Sequence, residues 1–263
     1  MMAQAICLHD RDTIAAWLRR DPLLHLYAIG DLDDFFWPYT NWYALAEGDH
    51  IRQVILCYTG APLLILHALT GESPGEMRAL LRSIMRLLPS RIYTHLSADL
   101  IDVFAGDYHI EPHGAYDKMA LTDLARLDVV DTSAVARLAP ADLAEVTALY
   151  DAAYPGHWFD PRMLETGHYY GVRQAGALLS VAGVHVYSPR YRVAALGNIT
   201  THPAARGRGL ATLATAKLCQ ELLRSVDQIG LNVRADNASA IACYTRLGFT
   251  KIGEYGEYEL THR

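Results

Sequence analysis

At 263 residues the chain is long enough for two ordinary domains or one large one. Its 51% hydrophobic and 20% charged residues supply a core, which excludes a low-complexity chain or a disulfide-stapled miniature. Twenty-three Lys and Arg against 29 Asp and Glu leave a formal charge of −6, so general nucleic-acid binding is not expected. The start lacks a basic segment leading into an apolar run, and no stretch is apolar for long enough to span a bilayer, so neither export nor a membrane anchor is expected. Cys7, Cys57, Cys219 and Cys243 have no metal-ligand spacing and read as reduced thiols of a cytoplasmic protein; no metal is expected.

In chain order, residues 42–47, 51–59 and 62–69 read as strands. Residues 76–88 form a helix with Met77, Leu80, Leu81, Ile84 and Leu88 on one side; a strand at 91–96 and a helix at 98–104 follow. A polar stretch containing Asp123, Asp128, Asp131, Thr132 and Ser133 marks a boundary, giving domains 1–125 and 140–263 joined by a linker at 126–139. The second half opens with a helix at 141–150, stopped by Tyr154-Pro155-Gly156. A three-strand antiparallel meander at 169–174, 177–187 and 191–201 is broken at Ala175-Gly176 and Ser188-Pro189. Next comes an amphipathic helix with Leu210, Leu213, Ala214, Leu218 and Leu222 inward and Thr215, Lys217, Gln220 and Arg224 outward. A strand at 229–233, a helix at 237–247 ended by Gly248, and a strand pair at 249–260 turning near Gly256 complete the chain. The first half repeats this order in weaker form, with Gly71 and Gly207 136 positions apart, so a duplicated fold is the preferred reading over two domains that merely share an element order.

The most informative segment runs Gly197-Asn198-Ile199-Thr200-Thr201-His202-Pro203-Ala204-Ala205-Arg206-Gly207-Arg208-Gly209-Leu210-Ala211. A strand runs into a Gly-rich loop that opens a helix, so unpaired amides and the positive end of a helix dipole converge, as an anion such as pyrophosphate would require. Gly207 and Gly209 permit positive φ and close approach, and Arg206 and Arg208 add cationic charge. Gly209-Leu210-Ala211 has neither the Lys nor the hydroxyl of a P-loop, and Thr212 occupies the third small-residue position of a dinucleotide fingerprint. An ordinary tight turn with solvated arginines is the competing reading of the isolated loop.

Downstream, Asn237, Ala240, Tyr244 and Leu247-Gly248-Phe249 follow at a spacing that, with the loop from Arg206 to Ala211, resembles the GNAT superfamily of CoA-dependent N-acyltransferases. The resemblance covers roughly residue 139 to the C-terminus, and the two-part organisation looks like the glycine-N-acyltransferase-like branch, whose N-terminal half is a degenerate copy. It implies an α+β fold of tandem GNAT-like domains, each a mixed, mostly antiparallel sheet flanked by helices. It further implies acetyl-CoA, or another acyl-CoA, as co-substrate. The backbone of Ile199, Thr200 and Thr201 would pair with the pantetheine arm, and the amides from Gly207 through Gly209 and Leu210 to Ala211 would hold the pyrophosphate. Asn237 would cap the next helix and reach the cofactor arm, and Tyr244 would sit beside the sulfur.

Those roles have a chemical logic. An amine attacks a thioester, an oxyanion forms, and the departing thiolate needs a proton that a phenol, titrating near ~10, can donate at neutral pH. Tyr244 is therefore the general-acid candidate, against the alternative that it only packs on its helix face; Asn237 could equally be only an N-cap. For the base, His185, sharing a strand face with Tyr187, stands beside His157 and a water chain. The corresponding N-terminal loop, Thr70-Gly71-Glu72-Ser73-Pro74-Gly75-Glu76, replaces arginines with carboxylates and loses an amide at Pro74, so no CoA is expected there. The aromatic, acidic stretch from His25 to Trp37 could attract a cationic amine, form a wall of the acceptor site, or be an interdomain seam. The expected activity is N-acetyl transfer to a small-molecule or protein amine, the alternative a non-catalytic CoA-binding sensor or interaction module. Neither a nucleic-acid nor a membrane partner is expected.

Overall fold

The structure, a computed structural model, describes residues 3–71, 73–157 and 159–263; Glu72 and Trp158, which fall in two of the loops read above, lie outside them. The chain forms two compact units, Met1–Lys118 with Arg234–Asp236 and Ile252–Arg263, and Met119–Val233 with Asn237–Lys251. The last segment of the chain thus belongs with the first unit, unlike the expected division at 126–139.

In chain order the first unit contains β1 (Gln4–Leu8), α1 (Arg11–Leu18), α2 (Leu26–Gly30), β2 (Thr40–Glu47), β3 (His50–Tyr58), β4 (Leu64–Ala68), α3 (Pro74–Ile84), β5 (Arg91–Leu96) and most of β6 (Tyr108–Leu121). β1 to β4 pair antiparallel in the order 1-2-3-4, and a crossover through α3 brings β5 back parallel to β4. The helical stripe Met77, Leu80, Leu81 and Ile84 is fully buried against Leu66, Ile92 and Phe104, each side chain contributing about 1.5–3 kcal/mol. Residues 98–104, expected as an α-helix, wind as a 3₁₀ segment.

The second unit holds α4 (Ala125–Asp128), β7 (Val135–Arg137), α5 (Leu143–Ala153), β8 (Tyr170–Gln174), β9 (Ala177–Ser188), β10 (Val193–Thr201), α6 (Leu210–Leu222), all but the last residue of β11 (Gln228–Arg234), α7 (Ala238–Arg246) and the start of β12 (Phe249–His262). β7 to β10 are antiparallel neighbours, and the crossover through α6 sets β11 parallel to β10. The β8–β9 hairpin turns on Ala175 and Gly176, both at positive φ as a two-residue turn of this twist demands. Both units therefore repeat one plan, antiparallel strands followed by a helical crossover to a parallel strand, and the fold is α+β.

Three local expectations change. The span 126–139 is no linker: it contributes α4 and β7, with Leu127, Val135 and Leu138 buried. Thr215 is fully buried because α6 packs against β8, β9 and β10 and also against α4 and α7, leaving little of its surface to water. The C-terminal strands are one strand, β12, whose residues Gly256 to Thr261 pair with β5. Gly256 makes no turn; a Cβ there would overlap the hydroxyl of Tyr258. No helix among the described residues is long and apolar enough to cross a membrane.

Candidate active site

The parallel ladder between β10 and β11 runs only from Val193–Gln228 to Leu196–Leu231, although β10 continues to Thr201 and β11 to Arg234. Beyond Leu196 the two strands part, and the backbone of residues 197–201 faces the opening on that side. Peptide groups without a ladder partner suit a strand-like ligand. A bulge bends β10 at this point: between the pairs Gly197–Gly183 and Thr200–Val181, Asn198 and Ile199 oppose Ala182 alone, and Asn198 adopts φ +54°. Of the three residues expected to meet a pantetheine arm, Thr200 already accepts from Ser180 Oγ (3.0 Å) and Thr201 from Arg206 Nε (3.3 Å) through their carbonyls, each retaining a second lone pair.

At the end of β10, a 3₁₀ turn at Pro203–Ala205 is capped by His202 Nδ1, which accepts the Ala204 amide at 3.3 Å. Gly207 (φ +75°) and Gly209 (φ +76°) then flank Arg208, and Gly209 is the N-cap of α6. This backbone form curls successive N–H groups toward one point. A Cβ at either glycine would meet nothing within 4 Å, so the loop is open to an approaching anion. Leu213 is the first residue of α6 whose amide folds back, onto Gly209 (3.1 Å); the amides of Leu210, Ala211 and Thr212 belong to the unsatisfied first turn.

The arginines, expected to add cationic charge, are also held by the protein. Arg206 braces the loop, with Nη2 on the Ala153 carbonyl (3.1 Å) at the end of α5, and Arg208 donates to Gln174 Oε1 (2.6 Å). Their acceptors are neutral, so the loop keeps both positive charges.

α7 comes alongside the first turn of α6, where Thr212 Oγ1 lies 3.2 Å from Cys243 Sγ. This contact joins the two halves of the sequence pattern. Asn237 caps α7, its Oδ1 accepting from the Ala240 amide (3.1 Å) and Ser239 Oγ (3.0 Å), which leaves Nδ2 as a donor. Tyr244, 8% exposed, packs its ring 6.0 Å from that of Phe249. Gly248, at φ +95°, ends the helix where a Cβ would overlap the Asp123 carbonyl, and its own carbonyl accepts the amides of Thr122 and Asp123.

His185 is the extra residue in a second irregularity, between the pairs Ala195–Val186 and Leu196–Val184, and its imidazole covers Gly197, where β10 leaves β11. Gly197→Ala is expected to force the ring out and cost about 1–3 kcal/mol, and removing the imidazole by His185→Ala in the same chain should restore most of it. Chemical denaturation of the four variants in the cycle measures this; additive losses would mean the two positions do not meet. Tyr187, its expected neighbour, is tied to Ser225 Oγ (3.1 Å), and its ring meets that of His168 at a tilt (4.2 Å). His157 accepts the Phe159 amide on Nδ1 (3.2 Å), which spends that nitrogen's lone pair.

The corresponding region of the first unit is closed. β4 and β5 pair along all of Leu64–Ala68, and Ser97 extends the seam, accepting the Thr70 amide (2.9 Å) and donating to the Thr70 carbonyl (3.2 Å). Ser73 takes φ +57° ahead of Pro74 at the start of α3. In the His25–Trp37 stretch, Trp37 stacks on Trp42 (6.5 Å) with the Arg11 guanidinium 4.6 Å above it, and Asp34 pairs with Arg11. Burial raises the Asp31 carboxyl to about 8. The folded state therefore retains a proton that the unfolded chain releases near ~4, and stability falls as pH rises between those values. Asp31→Asn is expected to match the wild type near pH 4 and exceed it near pH 8, by a few kcal/mol at most; urea midpoints that stay parallel across this range would refute it.

The sequence reading missed a polar cluster in this unit. Glu257 accepts from Tyr93 (2.5 Å) and Tyr255 (2.9 Å), and His95 Nε2 lies 3.4 Å from its Oε1. Burial holds His95 neutral, down at about 3, so this contact is no ion pair. Lys118, lowered to about 8 by burial, lies over the rings of Tyr27 and Tyr255. The signal was present as alternation: Tyr93 and His95 on β5, Tyr255 and Glu257 on β12, and Tyr116 and Lys118 on β6 are each two apart. Among the described residues no group of His, Cys, Asp and Glu is arranged to hold a metal ion.

Residues 136–249 match the model of the Acetyltransferase (GNAT) family. A mycothiol acetyltransferase of Tsukamurella paurometabola is 31% identical over 141 residues, covering 45% of this chain and 48% of that protein. Another from Beutenbergia cavernae is 34% identical over 102 residues, covering 38% and 33%. The chain thus spans between a third and a half of the length of these curated relatives. A tandem GNAT protein from the clavulanic acid biosynthesis pathway superposes with a TM-score of 0.56 at 18% identity, covering 98% of each chain. Residues 136–249 therefore belong to the GNAT acetyltransferase family, in a chain with the fold of a tandem GNAT protein.

Proposed function

We propose that the protein is an acetyl-CoA-dependent N-acetyltransferase that transfers directly to an amine in a ternary complex. The observation that carries this reading is the parting of β10 from β11 immediately before the open loop at Gly207 and Gly209. An extended thiol arm tethered to a diphosphate needs that sequence of features: a row of peptides with no ladder partner on the β11 side, then a nest of amides. The amides of residues 207–211, with the charges of Arg206 and Arg208, grip the diphosphate; Ile199, Thr200 and Thr201 pair with the arm; Asn237 Nδ2 donates to it.

In the reaction the neutral amine forms the new C–N bond as the thioester carbonyl becomes an oxyanion; collapse breaks the C–S bond, and the thiolate takes a proton from the Tyr244 hydroxyl. The amine's proton passes to His185, whose ring sits at the mouth of the opening, directly or through water. His157 serves this role less well because Nδ1 is engaged. No metal has a part in these steps. The acceptor is an amine of a small molecule or a protein. Four free thiols and the lack of a long apolar helix among the described residues fit a cytoplasmic location. The first unit, with its seam closed at Ser97, binds no acyl-CoA in this reading.

The test is calorimetric titration with CoA, followed by thiol release from acetyl-CoA across a panel of amines. Binding with turnover of at least one amine is expected. Binding without transfer would leave a CoA sensor, and the absence of both would overturn the reading.

A further inference from the structure

We propose that Tyr150 and Asn198 form a positioning pair that fixes where β10 leaves β11, and with it the seat of the pantetheine arm, an inference that rests on the acyl-CoA reading above. β10 must stay paired with β9 while turning away from β11 after Leu196, two demands that a regular strand cannot meet together. The bulge at Asn198 reconciles them. Asn198 is 4% exposed and sits at φ +54°, a conformation asparagine tolerates better than most residues with a side chain.

The bulge is held from outside the strand. The Tyr150 hydroxyl, on α5, donates to the Asn198 carbonyl at 2.7 Å. Asn198 Nδ2 donates to the Tyr169 hydroxyl (3.3 Å), which in turn donates to the Val184 carbonyl (3.2 Å). Val184 pairs with Leu196, the last residue of β10 on the β11 ladder. One chain of bonds therefore encloses the point of parting from α5 to β9. Tyr150 is fully buried, its ring packed against those of His157 (4.9 Å) and Phe159 (5.0 Å), which limits where its hydroxyl can aim. Without that donor the buried carbonyl of Asn198 loses its partner, and the bulge can relax by re-forming ladder bonds toward β11, narrowing the opening. Neither side chain has to touch the substrate for this.

The test uses the full chain titrated with CoA and with 3′-phospho-ADP, the same diphosphate head without the pantetheine arm. Tyr150→Phe keeps the ring and deletes the hydroxyl. It should weaken CoA about tenfold, a loss of about 1.4 kcal/mol, while changing 3′-phospho-ADP affinity less than twofold. Equal weakening of both ligands, or a lower melting temperature with both affinities intact, would overturn the proposal. A second pair of variants decides the matter if Tyr150→Phe fails to fold. Asn198→Gly retains the backbone conformation and the carbonyl and should bind CoA within threefold of the wild type. Asn198→Val disfavours positive φ and should lose CoA at least tenfold with 3′-phospho-ADP retained; equal behaviour of the two would be fatal. A wild-type chain that binds 3′-phospho-ADP and CoA equally would refute the inference, whereas one that binds neither refutes the acyl-CoA reading and this inference with it.

Discussion

Replacing Gly207 with aspartate should weaken CoA binding by about two orders of magnitude while shifting the melting temperature little. The site permits a clean experiment because a Cβ there meets nothing within 4 Å, and aspartate is among the residues that tolerate positive φ. The fold has no reason to object. A bound diphosphate does: a carboxylate about 5 Å from one phosphate charge, at an effective dielectric of about 20, costs about 3 kcal/mol, or about a hundredfold. Gly207→Asn has the same shape without the charge and should lose only severalfold. Because the loop is exposed, the gap between the two variants should shrink as ionic strength rises toward molar salt. Equal losses in both variants, or a gap indifferent to salt, would mean that the loop holds no anion and that its glycines serve only the turn.

How much of this site could be read from the sequence follows from what each feature depends on. The α6 and α7 boundaries, the glycine loop and the Asn237 cap were legible because they are set within a few residues, by helical periodicity and by backbone forms that need glycine or a short acceptor. The parting of β10 from β11 was not, because it depends on register between strands separated by a helix, and one extra residue at Asn198 changes it without altering composition. That Arg206 also braces the loop was not legible, since its acceptor, the Ala153 carbonyl, lies 53 residues away. Gly256 was misread for a related reason: the residue it makes room for, Tyr258, is a steric matter, whereas a glycine in a sequence suggests a turn.

For the first unit the sequence reading concerned only the loop at 70–76, where no CoA is expected. That expectation rests on the loop's carboxylates and Pro74; what the structure shows beside it is the complete β4–β5 ladder and the Ser97 bridge. Two copies of one plan thus diverge at the same topological point. In one, a bulge opens the parallel pair; in the other, a serine extends it. The buried groups around Glu257 share one face of β5 and β12, and such groups are costly unless satisfied. Their hydroxyl donors meet that requirement, so the cluster stands as part of the first unit's own core.

Tyr244→Phe should lower kcat about a hundredfold and leave the CoA dissociation constant within threefold. The substitution removes one oxygen and preserves the ring that packs against Phe249, so a role limited to packing predicts almost no change in either quantity. A proton donor to the leaving thiolate acts only as the C–S bond breaks, so its loss raises the barrier by about 2.7 kcal/mol without weakening the ground-state complex. The pH profile supplies an independent sign. A general acid must be protonated, so wild-type turnover should fall as pH rises through the titration of the donor, and that alkaline decline should vanish in the Phe variant if the phenol causes it. Tyr244→Ala would be a poor substitute: excavating a buried aromatic costs about 3–5 kcal/mol of stability and would confuse unfolding with lost chemistry. A Phe variant with unaltered kcat and an intact alkaline limb would remove Tyr244 from the reaction and leave proton delivery to water or to another group at the opening.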